Sequence, residues 1–362
     1  MKNRINQWIF LVVLLGISLV FSVPTYAEEG ETATSQAAEG ASGFTYEVIF
    51  PENQRSQNGY YDLRMTPGQQ QTVEILLKNH GKEEIVINVT LSGARTNPNG
   101  VVEYGPTKLE ADASMKYEFT DIVKGPESVT LAPGAEEAVR LDITMPEASF
   151  DGIILGGIQI QRQAGETEPE EKQGMMIVNE YAYIVGMILS ETDAEIVPEM
   201  SFIKAYASQP NYRNTIVIDL GNIVAAPLKG VTVEAQIMGE TSDTVLYDAK
   251  KLNMNMAPNT VLNFPVSMGS DAMEAGKYRA HVTATLGDQK WEWTEPFEIT
   301  KEQADKFNRE AVGLVQEQGL DWQLIAMIVG GVVAVVVVIF LIIHFVGKNK
   351  KKNSKKNRKK KK

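Results

Sequence analysis

Two stretches of this 362-residue chain crowd amides around tyrosines, a combination that holds ligands by hydrogen bonds and stacking. In "NQRSQNGYY", Asn53, Gln54, Arg55 and Gln57 precede Tyr60 and Tyr61. Adjacent strand residues point to opposite faces, so one tyrosine enters a core and the other stands beside the amides, either as part of a glycan site or in an ordinary loop, the latter favoured. "TNPNGVVEYG" (96–105) offers Asn97, Asn99 and Tyr104 in the same style, with a plain turn as the alternative. A third group is Trp291 and Trp293 in "KWEWTEPFEI", two apart and therefore on one strand face. They form either a stacking platform for a partner or part of a core, and continuation of that face into Phe297 and Ile299 favours the core.

Bond-breaking chemistry is poorly served. The acid pairs Glu83–Glu84 and Glu136–Glu137 lie beside turn signals, where charge is solvated. Glycoside cleavage needs two carboxylates ~5–9 Å apart in a pocket, one with a raised pKa. There is no cysteine, which removes thiol catalysis and thiolate metal sites. Outside the apolar C-terminal run only His80 and His281 remain, one a hairpin-turn residue and the other an outward strand residue. The expectation is a binding protein, not an enzyme, with no cofactor and no metal.

The elements that position these groups begin with two addresses. Lys2 and Arg4, the apolar run Trp8 to Val23, and "PTYA" before "EEGE" make a signal peptide over 1–27, cleaved after Ala27. An uncleaved anchor is the alternative, disfavoured by the short run and Pro24. Trp322 to Val346 is 25 near-uniformly apolar residues, enough at ~1.5 Å each to cross ~30 Å of hydrocarbon. The tail, 347–362, carries ten Lys and one Arg with no acid, which places it in the cytoplasm and residues 28–321 outside, beyond a single-pass membrane helix. Setting aside those eleven basic residues and two in the signal leaves 22 against 46 acids, about −24 for residues 28–321. Such a surface repels polyanions and argues against nucleic acid. An exported chain of this size without disulfides suits a bacterial origin.

Between the addresses, 28–42 is a small, polar linker. From Phe44 to Thr300 the chain alternates with a period of two. Val73, Ile75 and Leu77 share a face, as do Ile85, Ile87, Val89 and Leu91. So do Val139, Leu141, Ile143 and Met145, then Ile216, Ile218 and Leu220, then Leu262, Phe264 and Val266. Many short strands of this kind predict an all-β chain. One phrase, a Pro turn followed by an alternating strand, occurs three times: "TPGQQQTVEILLKN" (66–79), "APGAEEAVRLDITMP" (132–146) and "APNTVLNFPVSM" (257–268). The expected architecture is two tandem immunoglobulin-like β-sandwich domains, 43–190 and 191–300, then a helical stalk over 301–321 that lacks Pro and gains helix formers.

The glycine-rich "FDGIILGGIQIQ" (150–161) fits neither a span, having too few apolar residues, nor a phosphate loop, lacking the helix and Lys-Ser/Thr pair that such a loop needs. With "MMIVNEYAYIVGMILS" (175–190) beyond a polar acidic loop, it predicts a hairpin buried on both faces, its glycines allowing close approach. Gly330–Gly331 either lets the apolar C-terminal helix pair closely with another or carries no meaning, as glycines in spans often do.

Several longer phrases resemble the WxL-interacting proteins of Gram-positive bacteria. "FTYEVIFPENQ", "GYYDLRMTPGQQQTVEILLKN", "TNPNGVVEYG", "FDGIILGGI" and "NEYAYIVGM" are similar to that family's first domain. "PNYRNTIVIDLGN", "NMNMAPNTVLNFPV", "AGKYRAHVTATLGDQKWEWTEPFEIT" and "ADKFNREAV" are similar to its second domain and stalk. The resemblance implies a peptidoglycan-binding first domain and a host-binding second domain directed at host matrix proteins. It also implies partnership with secreted WxL-domain proteins, and it carries over no individual ligand residues.

Overall fold

A computed structural model of the protein describes residues 43–56, 58–163, 181–314 and 326–338. The expected signal peptide, linker, acidic loop and basic tail lie outside the described residues. The chain is mostly strand with few helices, the all-β class that the alternation predicts. It divides into two compact units. One comprises Met1–Tyr206, Val217–Val266 and Tyr278–Phe297; the other comprises Ala207–Ile216, Ser267–Lys277 and Glu298–Lys362.

The chain up to Ser190 contains β1 (Phe44–Ile49), β2 (Tyr61–Arg64), β3 (Gln70–Asn79), β4 (Ile85–Gly93), β5 (Arg95–Thr96) and β6 (Val102–Glu103). A one-turn helix α1 (Phe119–Ile122) follows, then β7 (Val123–Lys124), β8 (Ser128–Leu131), β9 (Glu136–Thr144), β10 (Ile153–Arg162) and β11 (Ala182–Ser190). One sheet has the order β1-β3-β9-β7, a second β2-β11-β10-β4-β8, and β5-β6 form a small hairpin. The alternation works as predicted. Val73, Ile75 and Leu77 join Val139, Leu141 and Ile143 from the first sheet, and Ile85, Ile87 and Val89 join them from the second, in one buried core. Leu91 only packs against its edge. At ~25 cal/mol per Å² of apolar surface, this shared core is the main term holding the sheets together.

The β10–β11 hairpin forms as expected, antiparallel, with Gly157 paired to Gly186. β2 joins the far side of β11 in parallel, Tyr61 opposite Met187. The expectation of burial on both faces is corrected. Ile154, Gly156, Ile158 and Ile160 face the core, whereas the alternate residues Leu155, Gln159 and Gln161 are only part-buried and Ile184 is exposed. The glycines also divide. A Cβ on Gly156 would collide with the Phe119 ring inside the core. One on Gly157 would collide with the Tyr104 backbone on the opposite face. Gly152, at φ +99°, abuts the Ala225 carbonyl, which also accepts from Ile153 N at 2.8 Å.

Later strands are β12 (Met200–Ser208), β13 (Thr215–Asn222), β14 (Leu228–Gly239), β15 (Val245–Met256), β16 (Thr260–Ser267), β17 (Gly276–Leu286) and β18 (Gln289–Ile299). They form sheets ordered β12-β13-β16 and β15-β14-β17-β18. Ile216, Ile218, Leu220, Leu262, Phe264 and Val266 are all buried, as their spacing predicts. Helix α2 (Lys301–Glu310) opens on a capping box: Thr300 Oγ1 accepts from Gln303 N at 3.2 Å, and Gln303 Oε1 accepts from Thr300 N at 3.0 Å. Among the described residues the predicted stalk is helical over Lys301–Glu310, and Ala311 is extended. A further helix, α3, spans 326–338, with apolar side chains such as Met327 and Val333 exposed. Among the described residues no helix is long and apolar enough to cross a membrane. The span expected over 322–346 extends beyond them on both sides.

The repeated phrase has one geometry in all three copies. Gly68, Gly134 and Asn259 follow their prolines at φ +68°, +71° and +51°, the left-handed conformation a Pro turn demands at its next position. Gln69 N and Ala135 N donate back to Thr66 O and Ala132 O, each at 3.0 Å. Two of the copies share a second device. Asn79, fully buried at the end of β3, donates to Glu83 O (2.8 Å), Leu131 O and Ala132 O (3.1 Å each) and accepts from Gly81 N (2.8 Å). Asn222, fully buried at the end of β13, donates to Ala226 O and Ala257 O (2.8 Å each) and accepts from Val224 N (3.2 Å). Each asparagine thus ties a strand end to the carbonyl four residues on and to the alanine opening the next Pro turn. The pairs β3–β9 and β13–β16 are therefore copies of one construction.

Candidate functional site

On β10 and β11 the residues facing away from the core include the paired glycines Gly157 and Gly186. Cross-strand partners lie only ~4.5–5.5 Å apart, so two missing side chains in register leave a shallow bare strip. Two tyrosines cover it. Tyr104, after the β5–β6 hairpin, lays its backbone on Gly157, where an added Cβ would come within 2.7 Å of the Tyr104 Cβ. Tyr60, one residue before β2, sits over Gly186, where an added Cβ would be 3.6 Å from the Tyr60 Cβ. Both rings are half-buried. The Tyr104 hydroxyl is pushed above its ordinary value of 10 by burial and then by Tyr60, so it is a neutral donor at any physiological pH.

The same face continues in polar side chains. Register places Gly157 opposite Ser92, Gln159 opposite Thr90 and Gln161 opposite Asn88 on β4. Gln159 Nε2 donates to Gln161 Oε1 at 3.0 Å. Asn88 and Thr90 are exposed, and on the other side of β10 Ile184, opposite Gln159, stands 47% exposed. The result is a solvent-facing strip of two aromatic rings, one aliphatic side chain and a ladder of amides and hydroxyls. Such a surface stacks on sugar rings and hydrogen-bonds their hydroxyls without needing charge.

The predicted site residues separate on this frame. Tyr60 and Tyr104 come together. Tyr61 is in the core, fully buried, and its hydroxyl donates to Glu74 O at 2.6 Å. Asn53 and Gln54 are occupied within their own loop. Asn53 Nδ2 donates to Arg64 O (2.9 Å) and Gln71 Oε1 (3.0 Å), and its Oδ1 accepts from Gln71 Nε2 (2.8 Å). Gln54 Nε2 donates to Tyr60 O at 2.8 Å, and its Oε1 accepts from Asp62 N at 3.1 Å, so this amide holds Tyr60 in place. Asn97 closes the β5–β6 turn. Its Oδ1 accepts from Asn99 N (2.9 Å) and Val101 N (3.1 Å), and its Nδ2 donates to Glu103 Oε1 (2.8 Å). Sequence reasoning missed Gly186, Asn88, Thr90, Gln159 and Gln161. Their signal was polar alternation on the same strands whose apolar alternation marked the core.

Trp291 and Trp293 share a face of β18 with Phe297 and Ile299, but only the last two are buried. Both tryptophans are half-buried, which corrects the expectation of a continuous core face; Trp291 Nε1 donates to Glu199 Oε1 at 3.0 Å. Phe297 instead stacks on Tyr278 at 5.6 Å. Of the acid pairs, Glu136 bonds Lys78 Nζ at 2.6 Å. That bond holds its carboxyl below the ordinary value, opposite to what a general acid requires. His80 Nε2 meets Thr45 Oγ1 at 2.7 Å and His281 Nδ1 meets Thr294 Oγ1 at 2.9 Å.

Two protein-family models match the chain in tandem. "WxL Interacting Protein, peptidoglycan binding domain" matches residues 44–162, which include Tyr60, Tyr104 and Gly157. "WxL Interacting Protein, host binding domain" matches residues 172–309, which include the tryptophan pair. No curated protein matches the chain. Solved structures with some likeness include a PapD-like domain of human CEP192 (13% identity, 43% of this chain and 89% of that one, TM-score 0.26). Others are the CsuC–CsuE chaperone–tip adhesin pre-assembly complex of Acinetobacter baumannii (10%, 71% and 98%, TM-score 0.29) and the CupB2 chaperone of Pseudomonas aeruginosa (12%, 64% and 92%, TM-score 0.24). At such TM-scores these likenesses carry no argument.

Proposed function

The chain belongs to the WxL-interacting protein family, and from that premise we propose that it is a membrane-anchored binding scaffold of the cell surface. It carries the family's peptidoglycan-binding and host-binding domains in tandem. In this reading each is an immunoglobulin-like sandwich. The signal peptide 1–27 exports them, the apolar segment 322–346 anchors them, and the basic tail 347–362 stays in the cytoplasm. The first domain grips peptidoglycan, while the second, with Trp291 and Trp293, serves host matrix proteins or secreted WxL-domain partners. An adhesin acting mainly through residues 191–300 is the second reading, supported by the half-buried tryptophan pair.

The observation that carries the proposal is the face over Gly157 and Gly186, which lies largely within the match to the peptidoglycan-binding model. With a net charge of about −24 over residues 28–321, attraction to an anionic wall cannot come from net charge. Contact rests instead on Tyr60, Tyr104 and the amide ladder. The test is sedimentation of the full chain with purified peptidoglycan. Tyr104→Ala is expected to weaken binding about tenfold, in line with ~1–3 kcal/mol for stacking on an aromatic ring. Binding should survive a rise from low to about 0.15 M salt, because hydrogen bonds and stacking are weakly screened. Loss of sedimentation with modest salt, or indifference to Tyr104→Ala, would remove this face from the function.

A further inference from the structure

A second concave site lies where residues 114–117 and 149–154 meet the turns at 223–225 and 259, all within one compact unit. Its volume is about 490 Å³, the size of a small-ligand pocket. The wall is aromatic, with the Tyr117 and Phe150 rings 5.4 Å apart and inclined at 51°. Ile153, Ile154 and Ile223 add aliphatic surface. Two opposite charges line the same cleft. Lys116 is exposed and makes no hydrogen bond or ion pair among the described residues. Asp151 accepts from Thr192 Oγ1 at 2.5 Å through Oδ1 alone, which leaves Oδ2 unengaged among the described residues.

A second acidic group stands behind Phe150. Glu191 Oε2 accepts from Phe150 N at 3.1 Å, while Oε1 is buried with no hydrogen-bond partner. A buried carboxylate oxygen without a donor is costly, and a positively charged group nearby would relieve it. The walls are held rigidly. Asn259 Nδ2 donates to Ser114 Oγ at 2.8 Å, Asp112 N donates to Asn259 O at 2.8 Å, and Ile153 N donates to Ala225 O at 2.8 Å. Around them, Ala257 N donates to Thr96 Oγ1 (2.9 Å), Thr96 and Thr260 hydroxyls meet at 2.6 Å, and Thr260 returns a bond to Ala257 O (2.8 Å). Fully buried Thr96 and Thr260 close that ring.

We propose that this cleft binds a short peptide carrying both a free ammonium and a free carboxylate. Lys116 takes the carboxylate, Asp151 and the field of Glu191 take the ammonium, and a side chain packs on Tyr117 and Phe150. A neutral glycan would leave both charges unused, and a polyanion would meet two acids against one cation. The inference deepens the wall-binding reading and rests on it for the source of the peptide, since peptidoglycan presents peptides beside its glycan. The division of labour is then a sheet face for sugar and a cleft for peptide.

The test uses the purified full chain and the tripeptide Leu-Ala-Ala, whose only ammonium is its N-terminus, with N-acetylated and C-amidated forms as controls, read by calorimetry. The free tripeptide should bind, and each capped form should bind about two- to fivefold more weakly, as expected for loss of one exposed charge pair. Lys116→Gln should abolish discrimination against the amide, and Asp151→Asn should abolish discrimination against the acetylated form. Both residues are exposed, so neither change should disturb folding, which a thermal melt verifies. Equal binding of capped and free peptides, no binding of the free peptide, or displacement of the peptide by a neutral chito-oligosaccharide would overturn the proposal. Sedimentation with whole wall is scored separately. If peptide binds but wall does not, the cleft stands and the scaffold reading falls; the reverse result sinks the cleft alone.

Discussion

Gly156 and Gly157 are adjacent, yet the pleat gives them unrelated duties. Gly156 makes room for the buried Phe119 ring, so Gly156→Val should overpack the core and cost about 1–3 kcal/mol in a denaturant melt. Wall binding per folded molecule should be retained. Gly157→Val meets the Tyr104 backbone on the outer face and should push the 97–105 segment away. There the larger loss should be in sedimentation with peptidoglycan, and equal effects of both variants on both readouts would contradict the assignment of faces. Ionisation adds a second residue-scale expectation. Tyr46, Tyr61, Tyr104 and Tyr206 all hold their protons more tightly than usual, chiefly because burial disfavours the phenolate. Tyr206 is pushed up to about 12, with Asp219 as the next cause. A raised pKa on an acid means that the fold prefers the neutral ring. That stability is fully present below the unfolded value of ~10 and is lost as pH rises through the folded values. The urea midpoint should therefore hold steady to about pH 10 and fall toward 12 and beyond, less so in Tyr206→Phe; a fall starting well below pH 10 would assign alkaline unfolding to other groups.

At the scale of elements, the recurring unit is a strand, a buried asparagine and a Pro turn. Asn79→Ala strips donors from buried carbonyls and should cost about 1–3 kcal/mol, as should Asn222→Ala. Asn79→Asp keeps the acceptor for Gly81 N but loses the donors, so it should destabilise as well. An alanine variant as stable as the parent would show that these bonds are replaced by solvent. The three Pro turns also explain a substitution within the repeat. Gly68 and Gly134 need only the left-handed conformation, and an added Cβ at either meets nothing within 4 Å. Asn259 accepts the same conformation, which asparagine tolerates, and uses its side chain to grip Ser114. In the opposite direction, helix α2 stops at Glu310 even though the sequence keeps helix formers beyond it. Propensity alone set the longer expectation, and it is a weak guide near helix ends.

For the whole molecule, the charge arithmetic and the apolar C-terminal segment make a topological prediction. Protease applied to wall-stripped cells should remove residues 28–320 and spare a tag placed after Lys362. Destruction of that tag while the membrane remains sealed would reverse the orientation and remove the wall as the place of action. The acidic exterior also predicts that association with any basic protein partner slows as salt rises, while wall binding changes little.

The all-β class, the strand faces, the Pro turns and the family are legible in one dimension, because each is written in local periodicity, turn chemistry or contiguous phrases. So is the placing of Tyr60 and Tyr61 on opposite faces, since the pleat has a period of two. Which residues meet is settled by the folded chain. Nothing local to Tyr104 shows that it rests on Gly157, or that Gly157 is paired with Gly186 beneath Tyr60. Those contacts depend on strand order and register, which are set by burying the opposite faces of β10 and β11 against β3 and β9. For the same reason Asn53, Gln54 and Asn97 looked available in one dimension and prove occupied in three. Their amides satisfy backbone groups that the folded loops would otherwise leave unpaired.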